Sequence, residues 1–184
     1  AYYDELGRGS YARDGGGVLI SQAIHTMDLA LSLVGPVSAV QAMARTSALH
    51  RMESEDVVTA GLEFASGAIG MLYASTASFP GRPESITVHG TNGSAALARG
   101  ELQVDWRDGR TETFGAAGGT GGGADPMAFT HAWHQGVIED FAEALDAGRP
   151  PLATGREALE VHRLIAALET SSREGRLIRL ADLV

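Results

Sequence analysis

From residue 18 to 33 the chain is apolar on nearly every side. Leu19, Ile20, Ile24, Met27, Leu29, Leu31, Leu33 and Val34 surround a single polar row, Ser21, His25 and Asp28. Ser21 and His25 are four apart and His25 and Asp28 three apart, so on a helix they share one face. Gly15-Gly16-Gly17 precedes the segment and Gly35-Pro36 closes it, a sound stop signal. A helix apolar all round is expected to be buried. A polar row on a buried helix needs partners, because burying an unpaired polar group costs free energy. The row is therefore either a satisfied core network or a reaction site. Residues 1–17, rich in glycine and without period, read as loop.

After Pro36 the hydrophobic period changes to that of strands. Segments 37–46, 56–64, 68–78, 84–89, 94–98, 102–106 and 110–114 each predict one. Ser66-Gly67, Asn92-Gly93 and Asp108-Gly109 mark tight hairpins, so the strands form an antiparallel meander and not βαβ units. Residues 115–124 (GAAGGTGGGA) read as a flexible loop. Two helices come next. In 127–147, Phe129, Trp133, Val137, Phe141 and Leu145 make a core stripe. In 155–174, Ala158, Val161 or His162, Ile165 and Leu168 point inward. Gly148 and Gly175 end them, and 176–180 predicts a last short strand. Helices gathered on one face of an open, mainly antiparallel sheet make an α+β fold, taken as one domain over 1–184. Segments 56–64 and 68–78 lack a clearly polar face, although such a sheet is expected to alternate. A second copy of the chain is the expected cover, giving a homo-oligomer through the open sheet face.

Composition narrows the partners. The 184 residues are 44% hydrophobic with a mean hydropathy of −0.02, enough for a domain with its own core. A net charge of −9 argues against nucleic acid and anionic membrane as partners. No uninterrupted apolar run reaches membrane-spanning length, and no signal peptide is evident. The absence of cysteine excludes disulfides and thiolate metal sites. A cytoplasmic protein is expected. All 14 basic residues are arginine, so chemistry that needs a lysine amine must draw on another polypeptide segment. The chain starts at Ala1 within a tyrosine-rich loop and reads as a piece of something longer.

The Ser21, Gln22, His25, Asp28 row is the first candidate for chemistry. Histidine exchanges a proton near neutral pH, and a nearby carboxylate such as Asp28 can orient its ring and raise its pKa. That pair suits general acid–base work on a hydroxyl or carbonyl; a buried histidine with a structural hydrogen bond is the plain alternative. The glycines at 15–17 allow close approach to the helix start, a position that favours anions. His131 and His134 are spaced to share a metal, but no organised carboxylate set accompanies them, so no metal is expected and His134 is read as a substrate hydrogen-bonding group. Residues 119–124 match G-x-G-x-x-A in form only, because the flanking pattern is not a βαβ unit. No nucleophile elbow, P-loop or H-E-x-x-H motif occurs.

Several ordered motifs resemble one family. DGGGVLISQAIHTMDLALSLVGPV, ESEDVVTAGLEFASGAIGMLYAST, ITVHGTNGSAAL and the 134–180 stretch beginning HQGVIEDFAEALDAGRPP are similar to the C-terminal domain of the glucose–fructose oxidoreductase / inositol dehydrogenase / rhizopine catabolism (Gfo/Idh/MocA) family. The resemblance implies a two-domain oxidoreductase. A Rossmann domain, lying outside this chain, would bind NAD or NADP. The present domain would shape a pocket for a sugar or polyol and build the oligomer. A lysine of the first domain and a helix histidine, matched here by His25, would act on the substrate hydroxyl. Many relatives carry an aspartate four residues earlier, where this chain has Ser21. That departure keeps open a non-catalytic ligand-binding or assembly role. Arg82, in the turn before the strand 84–89, and the tyrosine loop (Tyr2, Tyr3, Arg8, Tyr11) would approach the substrate. The chain alone is expected to be inactive.

Overall fold

The computed structural model describes residues 3, 5, 7–115 and 131–183. The G-x-G-x-x-A stretch and the start of the second predicted helix, with Phe129, lie outside them, as does Tyr2. The described residues divide into two compact units, Ala1–Phe79 with Thr154–Val184, and Pro80–Ala153.

In the first unit, β1 (Val37–Arg45), β2 (Val57–Phe64) and β3 (Ile69–Ser75) form an antiparallel meander. The strand β8 (Ile178–Arg179) pairs with the other edge of β1, giving the order β3-β2-β1-β8. Helix α4 (Gly155–Glu174) packs across β1. It starts where predicted because Thr154 and Glu157 form a reciprocal capping box, and it ends at Gly175, whose φ of 67° is left-handed. Its inward residues are Val161, Leu164, Ile165 and Leu168. Ala158, expected inward, is exposed, and of the alternatives Val161 and His162 it is Val161 that turns in, since the 161/164/165/168 stripe seats on β1. With Leu19, Val40 and Val58 these residues make the core.

β8 covers β1 only at Ala39 and Val40. Beyond it, two serines of α4 continue the pairing. The Ser171 hydroxyl accepts from the Ala42 amide at 2.9 Å and donates to the Arg176 carbonyl at 2.6 Å, and the Ser172 hydroxyl accepts from the Ala44 amide at 2.8 Å. Buried backbone donors are thus satisfied without another strand.

The fold is α+β with antiparallel sheets, as expected, but the predicted seven-strand meander is divided. After β3 the chain passes through Phe79-Pro80-Gly81-Arg82-Pro83, whose two prolines have no amide to offer a ladder. β4 (Ser85–His89), β5 (Gly93–Ala98), β6 (Glu101–Trp106) and β7 (Thr111–Gly115) then form a separate sheet in the second unit, order β4-β5-β6-β7. Its register puts Ile86, Leu97, Leu102 and Phe114 in one cross-strand row and His89, Ser94, Asp105 and Thr111 in another. These rows lie on opposite faces. Arg99 and Gly100 both have positive φ (55° and 77°) and close the β5–β6 hairpin, a turn the dipeptide signals did not mark.

Helix α3 (Ala132–Ala147) carries the predicted stripe, but it is not core among the described residues. Val137 is 64% and Leu145 68% exposed, and only Ala144 is buried. Period reveals which face is apolar, not what covers it. The outer face of the first sheet is likewise open: Met43, Ile69, Met71 and Tyr73 stand exposed there.

Candidate functional site

The glycine-led segment 11–34 does not form one continuous helix. Residues 11–14, expected as loop, form the short helix α1 (Tyr11–Asp14), capped by the Ser10 hydroxyl and ended by Gly15 at φ 79°. After the glycines a π-helical turn, Leu19–Ala23, leads into α2 (Ile24–Val34). Such turns insert a residue into the α spacing and recur at functional sites. By length and composition 11–34 is apolar enough to cross a membrane. Here α2 packs on α4, with Val18, Leu19 and Met27 buried.

Three consecutive residues, Glu53-Ser54-Glu55, hold the chain from Gly9 to Leu19, and the residue after them, Asp56, braces the connection they belong to. The Tyr11 amide donates to the Glu53 carboxylate at 3.1 Å. The Ser54 hydroxyl donates to the Gly9 carbonyl at 2.6 Å. The Val18 amide donates to the Glu55 carbonyl at 2.9 Å, and the Leu19 amide to its Oε1 at 3.0 Å. One residue thereby satisfies two orphan donors of the helix start. Glycine is required opposite it: a Cβ at Gly17 would lie 1.9 Å from the Glu55 carbonyl oxygen. The fourth residue, Asp56, is fully buried. The Ser47 amide and hydroxyl reach it at 2.6 and 2.7 Å, and His50 Nδ1 at 2.7 Å. Burial alone would raise the Asp56 pKa, but the Ser47 and His50 hydrogen bonds prevail and hold it below the usual value. The Tyr3 ring lies 4.8 Å from that of His50, tying the tyrosine loop to the same anchor. Burial, then the neighbouring Glu55 charge, raises the pKa of Glu169 on α4. Burial and the carboxylates of Glu169, Glu55 and Glu53 raise that of the Tyr11 phenol.

The predicted polar row rides on this anchored segment, with one correction. The helix is not sealed in the interior: Gln22, His25 and Asp28 are exposed, and so are Leu29 and Leu33. α4 and the sheet cover only the side bearing Leu19 and Met27. Asp28 does not orient His25, because among the described residues no hydrogen bond joins them. Ser21 is half-buried; its hydroxyl donates to the Gly17 carbonyl at 2.7 Å. The imidazole is thus free to meet a ligand's hydroxyl, whereas the Ser21 proton is already committed. Arg82 and His134 are exposed on separate segments of the second unit. Among the described residues, no three histidine, aspartate or glutamate side chains converge to hold a metal ion.

A profile of the GFO/IDH/MocA C-terminal domain matches residues 3–96, half the chain and all of the anchored helix and first sheet meander. The chain belongs to the Gfo/Idh/MocA family. It is 28% identical over 165 residues to D-apiose dehydrogenase of Paraburkholderia graminis, covering 87% of this chain and 44% of that protein. Among solved structures it resembles WlbA dehydrogenase of Chromobacterium violaceum in complex with NADH and UDP-GlcNAcA. That match has 29% identity and a TM-score of 0.76, over 97% of this chain and 50% of the other. It also resembles levoglucosan dehydrogenase in complex with NADH, at 26% identity and TM-score 0.71, over 90% of this chain and 50% of that one. The chain therefore spans about half the length of these relatives.

A dinucleotide pyrophosphate seeks free amides at a glycine-led helix N-terminus. Here Glu55 already engages the Val18 and Leu19 amides, and its negative charge would repel a phosphate. This helix start does not fit the phosphates of NAD or NADP. The sequence missed Glu55 as a builder of the site. Its signal was an acidic pair, Glu55-Asp56, directly before a strand too apolar to leave carboxylates in solvent.

Proposed function

We propose that this chain is the substrate-side half of an NAD(P)-dependent oxidoreductase that transfers hydride at a hydroxyl or carbonyl of a sugar-like or cyclitol substrate. The dinucleotide would be held by a segment outside this chain. The observation that carries the reading is His25: an imidazole, exposed and uncommitted, on a helix whose entry is tethered by buried residues. A ring so placed can take the proton of a substrate hydroxyl or return it to a carbonyl oxygen. Gln22, in the turn before it, and Asp28, on the same helix, are exposed beside it and would bind neighbouring hydroxyls; Arg82, with its fork of donors, and His134 would offer polar contacts to substrate from the second unit. Ser21, bonded to Gly17, can offer only lone pairs. The names of the relatives, a D-apiose dehydrogenase and a WlbA dehydrogenase crystallised with NADH and UDP-GlcNAcA, support the substrate class. A cytoplasmic enzyme is part of the same reading, as is a homo-oligomer whose second copy covers the open sheet face.

Full-length protein is to be assayed by NAD(P)H absorbance against a panel of aldoses, uronic acids and cyclitols. His25→Ala is expected to lower kcat by about 10²-fold or more, the scale of a general acid–base residue. A variant as fast as the parent removes His25 from the reaction. The second reading, a ligand-binding or assembly protein without turnover, is favoured by Ser21, which cannot act as a carboxylate base. Turnover of any polyol refutes it.

A further inference from the structure

We propose that Glu55 is a positioning residue for the helix that presents His25. The proposal builds on the oxidoreductase reading but has a readout that does not depend on it. Glu55 stands near the end of the 46–56 connection, two residues before β2, and is only 6% exposed. It makes no ion pair among the described residues. A buried carboxyl is costly unless its oxygens find donors, and here the donor at Oε1 is the Leu19 amide at 3.0 Å. Its carbonyl takes the amide before it, Val18, at 2.9 Å. Two adjacent amides held by one buried residue fix both the depth and the rotation of the helix entry. Gly17, in direct contact with Glu55, sets the approach distance. His25 lies six residues beyond Leu19, across the π turn. The π turn Leu19–Ala23 runs directly into α2, so the orientation of α2 depends on how the first residues of that turn are tethered. Glu55 supplies that tether and touches no reacting atom.

The proposal is tested in the full-length protein with Glu55→Ala, which removes the acceptor, and Glu55→Gln, which keeps an oxygen for the Leu19 amide. Three quantities are measured: kcat and KM, amide exchange at Val18 and Leu19, and the NMR titration of the His25 ring. Misplacement of a reacting group by about an ångström costs on the order of 10²-fold in rate. Glu55→Ala is therefore expected to lose kcat on that scale with a smaller change in KM. It is also expected to lose protection at Leu19 and to shift the His25 ring resonance. Glu55→Gln is expected to restore most of all three. If Glu55→Ala lowers the melting temperature but leaves kcat per folded molecule and the His25 resonance as in the parent, the residue is only a stabiliser and the proposal fails. If Glu55→Ala does not fold, Glu55→Gln decides: retained Leu19 protection and an unmoved His25 resonance support the proposal, and loss of either overturns it. If the parent turns over no sugar, the oxidoreductase reading fails while amide exchange and the His25 titration still decide the role of Glu55.

Discussion

Asp56 is wholly buried and has three donors around its carboxylate. A carboxylate can only accept, so His50 Nδ1 carries the proton of their hydrogen bond. Because its folded pKa lies below the ordinary value of 3.8, the folded state releases the Asp56 proton more readily than the unfolded chain does. The stability it contributes is complete above the ordinary value and is lost as pH falls through the folded one. Glu169 has the opposite sign. Its folded pKa is raised above 4.5 by burial and by Glu55, so folding holds its proton longer and stability declines as pH rises through that window. Urea midpoints across acid and neutral pH should separate the two. Asp56→Asn is expected to cost about 1–3 kcal/mol at neutral pH, the scale of a disturbed buried hydrogen-bonded group, and to flatten the acid limb. Glu169→Gln is expected to raise the neutral-pH midpoint. Of these residues, the sequence pointed to His25 and Ser21 through their helical spacing. It did not point to Glu55 or Asp56, because no local period connects them to their partners; Leu19 is 36 residues from Glu55 along the chain.

At the scale of elements, α4 was the most legible piece. Capping chemistry at Thr154 and Glu157 and the terminal Gly175 are local, so they can be read without knowing the fold. What α4 does for β1 was not legible. Ser171 and Ser172 are helix residues, yet they serve the sheet as substitute strand partners. Ser171→Ala would leave the Ala42 amide buried without an acceptor and the Arg176 carbonyl without its donor. Chemical denaturation is expected to show a loss of about 1–3 kcal/mol, whereas Ser172→Ala, at a partly buried position, should cost less. A variant as stable as the parent would mean that water replaces the hydroxyl. The helix carrying His25 shows the converse. Its apolar residues surround the cylinder, so burial on all sides was expected, yet one side meets α4 and the other stands open with His25 on it.

At the scale of the molecule, the open outer face of the first sheet departs from a self-sufficient domain. Met43, Ile69, Met71 and Tyr73 are each more than half exposed on the β1-β2-β3 meander, and contiguous apolar patches of this kind mark interaction surfaces. If a second copy covers the face, Met71→Glu places a charge at the centre of that contact. Analytical ultracentrifugation is expected to show the mass of the full-length protein falling to a smaller species with Met71→Glu, while the melting curve of each subunit stays cooperative. An unchanged mass would assign the face to something other than a copy of the chain.

The sequence by itself determined most of the strands, the long helices, their order and the antiparallel class, because hairpin dipeptides, helix stops and hydrophobic period act over a few residues. It also placed His25 and Asp28 on one helix, whereas Ser21 falls in the π turn before it. Tertiary structure alone decided that prolines divide the strands between two sheets, that the side bearing His25 faces outward, and that Glu55 fills the helix entrance where an anion would otherwise bind. Each of those outcomes depends on contacts between residues distant along the chain, and such contacts leave no trace in local spacing.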